Sequence, residues 1–253
     1  MLLIRVIPCL LLSGRGLVKT VRFQNPSYVG DPINAVKIFN EKEVDELIFL
    51  DIDAARNNTG PRLSNISQIA DECFMPLCYG GGIRSMEVIR ELFSIGVEKV
   101  AINSYAVENP SFIKEASLDF GSQSIIVAMD VCRNTKGRHE LYTHGGTKLA
   151  KVDPVEQAVK MQQMGCGELF INSIDRDGTM SGYDIDIIRN ISEAVSIPVI
   201  ACGGAGKLED FVKAVKEGGA SAVAAGSLFV FQGKHKAVLL TYPEAQQIEQ
   251  LMK

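Results

Sequence analysis

The most constraining feature of this chain is an alternation, repeated eight times, of a short apolar run and an amphipathic stretch of helical period. The apolar runs fall at 3–10, 47–52, 75–80, 98–103, 124–130, 168–173, 197–202 and 221–226, and most are unbroken by polar residues. Strands of that kind are buried on both faces, which is the condition of a parallel sheet covered by helices. Helical patterns follow near 31–43, 62–73, 86–95, 110–118, 153–165, 184–194, 207–217 and 243–252. Asp31 before Pro32 reads as an N-cap and first turn, and Gly96, Gly165 and Gly218 fall where helices end on glycine. Eight such units within 253 residues predict an α/β fold, a single (β/α)8 TIM barrel, rather than an open sheet.

A repeat strengthens this expectation. Glu46-Leu47 matches Glu168-Leu169, Ile52-Asp53 matches Ile174-Asp175, and Gly60 matches Gly182. Pro76 matches Pro198, Gly81-Gly82 matches Gly203-Gly204, and Gly96 matches Gly218, every pair 122 positions apart (168 − 46, 198 − 76, 218 − 96). One register held through two βα units predicts a barrel of two similar half-barrels, about 1–122 and 123–253.

In such barrels ligands bind on the loops at the C-terminal ends of the strands. Two of those loops are glycine-rich, Gly80-Gly81-Gly82 and Gly203-Gly204-Ala205-Gly206, and glycine lets backbone N–H groups approach an anion closely. The strands that follow end in Asn103-Ser104 and in Ala225-Gly226-Ser227. Each pair of loops reads as one phosphate cradle, and two cradles fit either a ligand with a phosphate at each end or a site kept by descent.

Composition removes other classes. A net charge of −4 leaves no basic excess for a nucleic-acid backbone. The opening segment MLLIRVIPCLLL is interrupted by Arg5 and Pro8, so it reads as a buried strand rather than a signal peptide, and no stretch reaches membrane-helix length. Six scattered cysteines without a CxxC pair read as buried thiols of a cytoplasmic protein, with no metal and no cofactor expected. His139, His144 and His235 read as surface histidines, Arg176 as a brace for its loop, and 133–148 as a two-stranded excursion.

The stretches DELIFLDI (45–52), GGGI (80–83), KVAINSYAVENP (99–110), FGSQSIIVAMD (120–130), SIDRDGTMSGYD (173–184) and ACGGAGK (201–207) resemble the cyclase-subunit family of imidazole glycerol phosphate synthase, HisF. The likeness runs from residue 1 to about residue 230. It implies a partner glutaminase of the HisH type at the N-terminal face of the barrel, and ammonia passing through the core. At the mouth ammonia would react with a bis-phosphorylated ribulosyl aminoimidazole carboxamide nucleotide (PRFAR), giving imidazole glycerol phosphate and AICAR in histidine biosynthesis. It further implies phosphate contacts at Gly82, Asn103 and Ser104 on one side and Asp177, Gly178, Gly204, Ala225 and Gly226 on the other. Lys19, in the loop Gly14–Asn25, would help to close the top, and Arg5, Glu46, Lys99 and Glu168 would form a charged gate in the floor.

One position departs from the family. Its chemistry uses two aspartates, at the ends of strands 1 and 5; here strand 5 ends in Asp130, whereas the strand-1 position is Leu11. No carboxylate occurs between residues 1 and 30, so a shift of register supplies none; Asp51, at the end of the neighbouring strand 2, could stand in for it but reads at least as well as a structural carboxylate. Losing an acid or base costs about 10²–10⁴ in rate. Two readings stay open. One is a HisF-type cyclase working through Asp130 alone. The other resembles a branch of HisF-like paralogues encoded with surface-polysaccharide (lipopolysaccharide) genes, an ammonia conduit serving an ATP-dependent amidotransferase that makes acetamidino sugars.

Overall fold

The computed structural model describes residues 4–57 and 59–252; the first residue of the strand expected at 3–10 lies outside them. Eight parallel strands form the centre: β1 (Arg5–Ser13), β2 (Leu47–Asp51), β3 (Leu77–Gly80), β4 (Lys99–Ile102), β5 (Ile125–Arg133), β6 (Glu168–Ser173), β7 (Val199–Cys202) and β8 (Ala222–Ala225). They pair in sequence order, β8 pairs with β1, and β5 pairs with β6, which closes the barrel. Outside lie α1 (Pro32–Glu41), α2 (Leu63–Asp71), α3 (Met86–Ser94), α4 (Pro110–Phe120), α5 (Pro154–Gln163), α6 (Ile185–Ala194), α7 (Leu208–Lys216) and α8 (Ala245–Met252). The fold is the expected (β/α)8 barrel.

Local chemistry explains the boundaries. Asp31 accepts a hydrogen bond from Asn34 N at 3.0 Å and Asp153 accepts from Val155 N at 2.8 Å, each just before a proline that is preset for the first helical turn. Gly96 and Gly165 adopt φ of 97° and 91° after α3 and α5. After α7 it is Gly219, at φ 72°, rather than the expected Gly218, that takes the left-handed conformation. Gly218 is instead buried, and a Cβ there would lie 2.6 Å from Ala214 O.

Two cores hold the layers together. The larger lies between sheet and helices, with Phe39, Phe49, Leu92, Ile113, Ile191 and Phe211 nearly inaccessible. The smaller fills the barrel with Ile7, Cys9, Ile48, Cys78, Ala101, Ile126, Phe170, Ile200, Cys202, Ala222 and Ala224, a set in which small side chains alternate with large ones.

The stretch expected as a loop after strand 1 is instead a β-hairpin, Gly16–Val21 with Gln24–Gly30, whose first strand pairs with the long end of β1. Arg22 and Phe23 turn the corner at φ 54° and 61°. The excursion after β5 is present as His139–Thr143, which folds back antiparallel on β5, and Lys148–Leu149. No described helix is long and apolar enough to cross a membrane.

Candidate functional site

A cavity opens at the C-terminal ends of the strands, and both glycine loops border it. Its lining includes Leu11, Lys19, Gly82, Asn103, Ser104, Asp130, Asp177, Gly178, Gly204, Ala225 and Gly226, so the residues expected at the mouth are brought together. Thr20, Phe23, Arg56 and Asn172 also line it.

Leu11 and Asp130 occupy matching places in this wall. Asp53 accepts from Gly14 N at 2.9 Å and so clamps the end of β1; Asp175, 122 residues later, accepts from Arg133 N at 2.6 Å and clamps the end of β5. Leu11 lies three residues before Gly14, and Asp130 three before Arg133. The two clamps therefore put leucine and aspartate at equivalent depth. Leu11 lies opposite Leu50 of β2, so that side of the mouth is apolar. Asp51 Oδ1 accepts from Asp53 N at 3.0 Å and Ala54 N at 3.1 Å, capping a short helix, Ile52–Arg56. Those two bonds give it a capping role, and it also lines the cavity.

Asp130 is electrostatically unusual. Burial, reinforced by the nearby Asp177 carboxylate, pushes it up to about 7, against the one stabilising hydrogen bond it receives, from Asn103 Nδ2 at 3.1 Å. A carboxyl near 7 is half-ionised at neutral pH and serves as either acid or base. Burial raises Asp177 as well, although Thr20 Oγ1 donates to it at 2.7 Å and Phe23 N at 3.3 Å. These bonds, with Arg22 N donating to Asp177 O at 2.9 Å, fasten the hairpin tip across the mouth. Arg56 Nη2 secures the tip from the other side by donating to Phe23 O at 2.8 Å. The docked hairpin carries the buried Lys19 inward, where its ammonium donates to Cys9 O at 3.0 Å above Gly226.

The glycine loops need their glycines. Gly82 and Gly204 have φ of 68° and 109°, and a Cβ on either would strike a backbone oxygen, Thr59 O in one and Gly182 O in the other. Ser104 Oγ is taken by His144 N at 2.9 Å and Asn103 Oδ1 at 3.2 Å.

At the other end of the barrel four charges close the floor. Arg5 reaches Glu46 at 2.7 Å and Glu168 at 2.6 Å, and Lys99 reaches the same two carboxylates at 2.9 and 2.8 Å. The cations hold Glu168 below the usual carboxylate range, while its neighbours raise Lys99. Glu46 Oε1 is buried without a partner among the described residues.

A family model described as "Histidine biosynthesis protein" matches residues 5–236. The chain is 53% identical to "Putative imidazole glycerol phosphate synthase subunit hisF2" of Pseudomonas aeruginosa, over 97% of this chain and 98% of that one. It is 48% identical to "Putative imidazole glycerol phosphate synthase subunit hisF3" of Vibrio vulnificus, over 96% and 94%. With "Imidazole glycerol phosphate synthase subunit HisF" of Alkaliphilus metalliredigens it shares 44% identity over 89% of each chain. The chain belongs to the HisF family.

Other residues of this HisF barrel are placed differently from the expectation. His139 is not a surface histidine: its Nε2 lies 3.1 Å from Asp184, which also accepts from Arg133 Nε at 2.9 Å and Nη2 at 2.7 Å and is held far below its ordinary range. Cys73 and Cys132 are half-buried rather than buried, and all six cysteines are free. Arg176 does brace its loop, donating to Ser181 O at 3.2 Å. No cluster of three metal-ligating side chains occurs among the described residues. Asn172 of β6 lies opposite Asp130 of β5, and a polar residue closing an apolar run was a legible signal for it. Phe23 carried none, because it reaches the mouth only through the docked hairpin, and Arg56 carried none, because it stands on a short helix after β2 whose place over the mouth the sequence does not mark.

Proposed function

We propose that this HisF-type chain receives ammonia from a HisH-type glutaminase at its floor and passes it through the barrel to the mouth. The observation that carries the reading is the ring of Arg5, Glu46, Lys99 and Glu168, four charges closing a barrel floor beneath an interior rich in alanine and cysteine. A buried ion network there is costly against apolar filling, so a role in admitting a small polar molecule accounts for it better than stability does. Backbone N–H groups around Gly82, Asn103 and Ser104, and around Gly178, Gly204, Ala225 and Gly226, suit the two phosphates of an elongated ligand, with Lys19 supplying a positive charge inside the closed mouth. The free thiols suit a cytoplasmic protein.

Asp130, near 7, is the proton-transfer group at the mouth, and Leu11 faces it where a second is needed for efficient cyclisation. A leucine moves no proton, so turnover of PRFAR falls about 10²–10⁴-fold below that of a mouth with two carboxylates. Leu11 for that reason also supports the second reading, delivery of ammonia to a separate ATP-dependent amidotransferase making acetamidino sugars. The test is turnover of PRFAR with saturating ammonium by the native protein and by Leu11→Asp. Little native turnover that Leu11→Asp raises at least tenfold supports an impaired cyclase. Full native turnover overturns the impairment. Failure of the protein to bind or stimulate a HisH-type glutaminase overturns the ammonia-receiving role.

A further inference from the structure

We propose that Arg56 and Arg84 build a second anion subsite at the rim of the mouth, beside the Gly82, Asn103 and Ser104 cradle, and that the ligand carries a diphosphate rather than a single phosphate at that end. The inference rests on the phosphate-binding reading of the mouth proposed above and adds the class of ligand it takes.

Charge in the mouth is unevenly divided. The charged side chains that line it are Lys19, Asp51, Arg56, Arg84, Asp130 and Asp177. At the Gly178, Gly204 and Gly226 end, Lys19 stands near the Asp177 carboxylate and the two charges offset. Both guanidinium groups belong to the opposite end. Arg84 directly follows the Gly80–Ile83 loop. Arg56 Nη2 lies 3.5 Å from Gly145 O, and the preceding residue, His144, donates its N to Ser104 Oγ at 2.9 Å. Asp51, the one carboxylate lining that end, is turned into the start of the short helix Ile52–Arg56. The larger share of a ligand's negative charge therefore belongs with the two arginines.

Depth separates the arginines from the cradle. Ser104 is buried at 8% exposure, whereas the Arg84 side chain is 37% exposed and Arg56 is exposed. Neither is closely paired with a carboxylate among the described residues. The Arg84 partner, Glu108, lies 3.9 Å away and is shared with His144 Nε2 at 3.4 Å; Arg56 donates only to the backbone oxygens of Phe23 and Gly145. Backbone N–H groups of the buried cradle take up the oxygens of one terminal phosphoryl group. A guanidinium further out is a fork that fits a second phosphoryl group, the next along a diphosphate. A ligand with one phosphate at each end fills both cradles and leaves the two arginines without an anion.

The test is calorimetric titration of the native full-length chain with inorganic pyrophosphate and with inorganic phosphate, both free of divalent metal. The native chain is expected to bind pyrophosphate at least about tenfold more tightly than phosphate. Arg84→Gln gives up only the distant Glu108, so it should melt as the native chain does, keep its phosphate affinity and lose most of the preference. Arg56→Gln should lose it too; because Arg56 also ties down the hairpin tip, Arg84→Gln decides if Arg56→Gln melts lower. Arg176→Gln, beside Gly204 at the other cradle, should keep the preference. Equal binding of the two anions by the native chain overturns the subsite, as does a preference that survives Arg84→Gln or one that Arg176→Gln removes. Binding of neither anion overturns the phosphate reading of the mouth itself.

Discussion

Replacing Asp130 by asparagine should make the protein more stable at neutral pH and leave it unchanged in acid. Asn keeps an oxygen for the bond from Asn103 Nδ2 and removes the ionisation. The ordinary carboxyl value of 3.8 is raised to about 7 by burial and by Asp177. Below the ordinary value the folded and unfolded chains both hold the proton, and the group contributes nothing to the pH dependence. Between that value and about 7 the unfolded chain releases its proton while the folded chain keeps it, so stability falls as pH rises. Above about 7 the penalty is complete and constant. About three pH units at 1.36 kcal/mol each give about 4 kcal/mol, an upper figure because the cavity admits water. For a chain of this size that is roughly 10 °C in Tm. Thermal or urea unfolding of both proteins across about pH 4 to 8 measures it. The gap between them should be near zero in acid and open steadily to neutrality. A gap that stays constant over the range would refute the burial argument for Asp130.

Asp177→Asn should loosen the hairpin, because Thr20 Oγ1 and Phe23 N lose a charged acceptor; faster amide exchange over 16–30 and faster tryptic cleavage at Arg22 report it. The same change removes the second cause of the Asp130 shift, so the pH at which Asp130 titrates should fall. Lys99→Met leaves Glu46 and Glu168 with Arg5 alone and should cost about 3 kcal/mol at neutral pH in a denaturant titration. Glu168, held below its ordinary value of 4.5, stabilises the fold above that pH and loses the contribution as pH falls through its folded value, so this deficit should close in acid.

Much of this protein was legible in the order of its residues. Eight buried runs and eight amphipathic stretches leave few ways to cover both faces of a sheet, and the barrel follows. The glycine loops, Asp130 at the end of an apolar run and the charges heading strands 1, 2, 4 and 6 were legible because strand direction alone assigns them to the mouth or the floor. Three things needed the tertiary structure. That Leu11 stands at the depth of Asp130 is decided by the two aspartate clamps, which tie strand ends to residues about 40 positions away. That residues 16–30 form a hairpin latched over the mouth depends on bonds to Asp177, more than 150 residues distant. That Asp130 titrates near neutrality depends on enclosure and on a second carboxylate from the loop after β6, since a side chain's pKa reflects its surroundings and not its neighbours in sequence. Sequence determines which groups the chain carries and which end of the barrel they reach; only the closed fold decides how close they come and how dry their surroundings are.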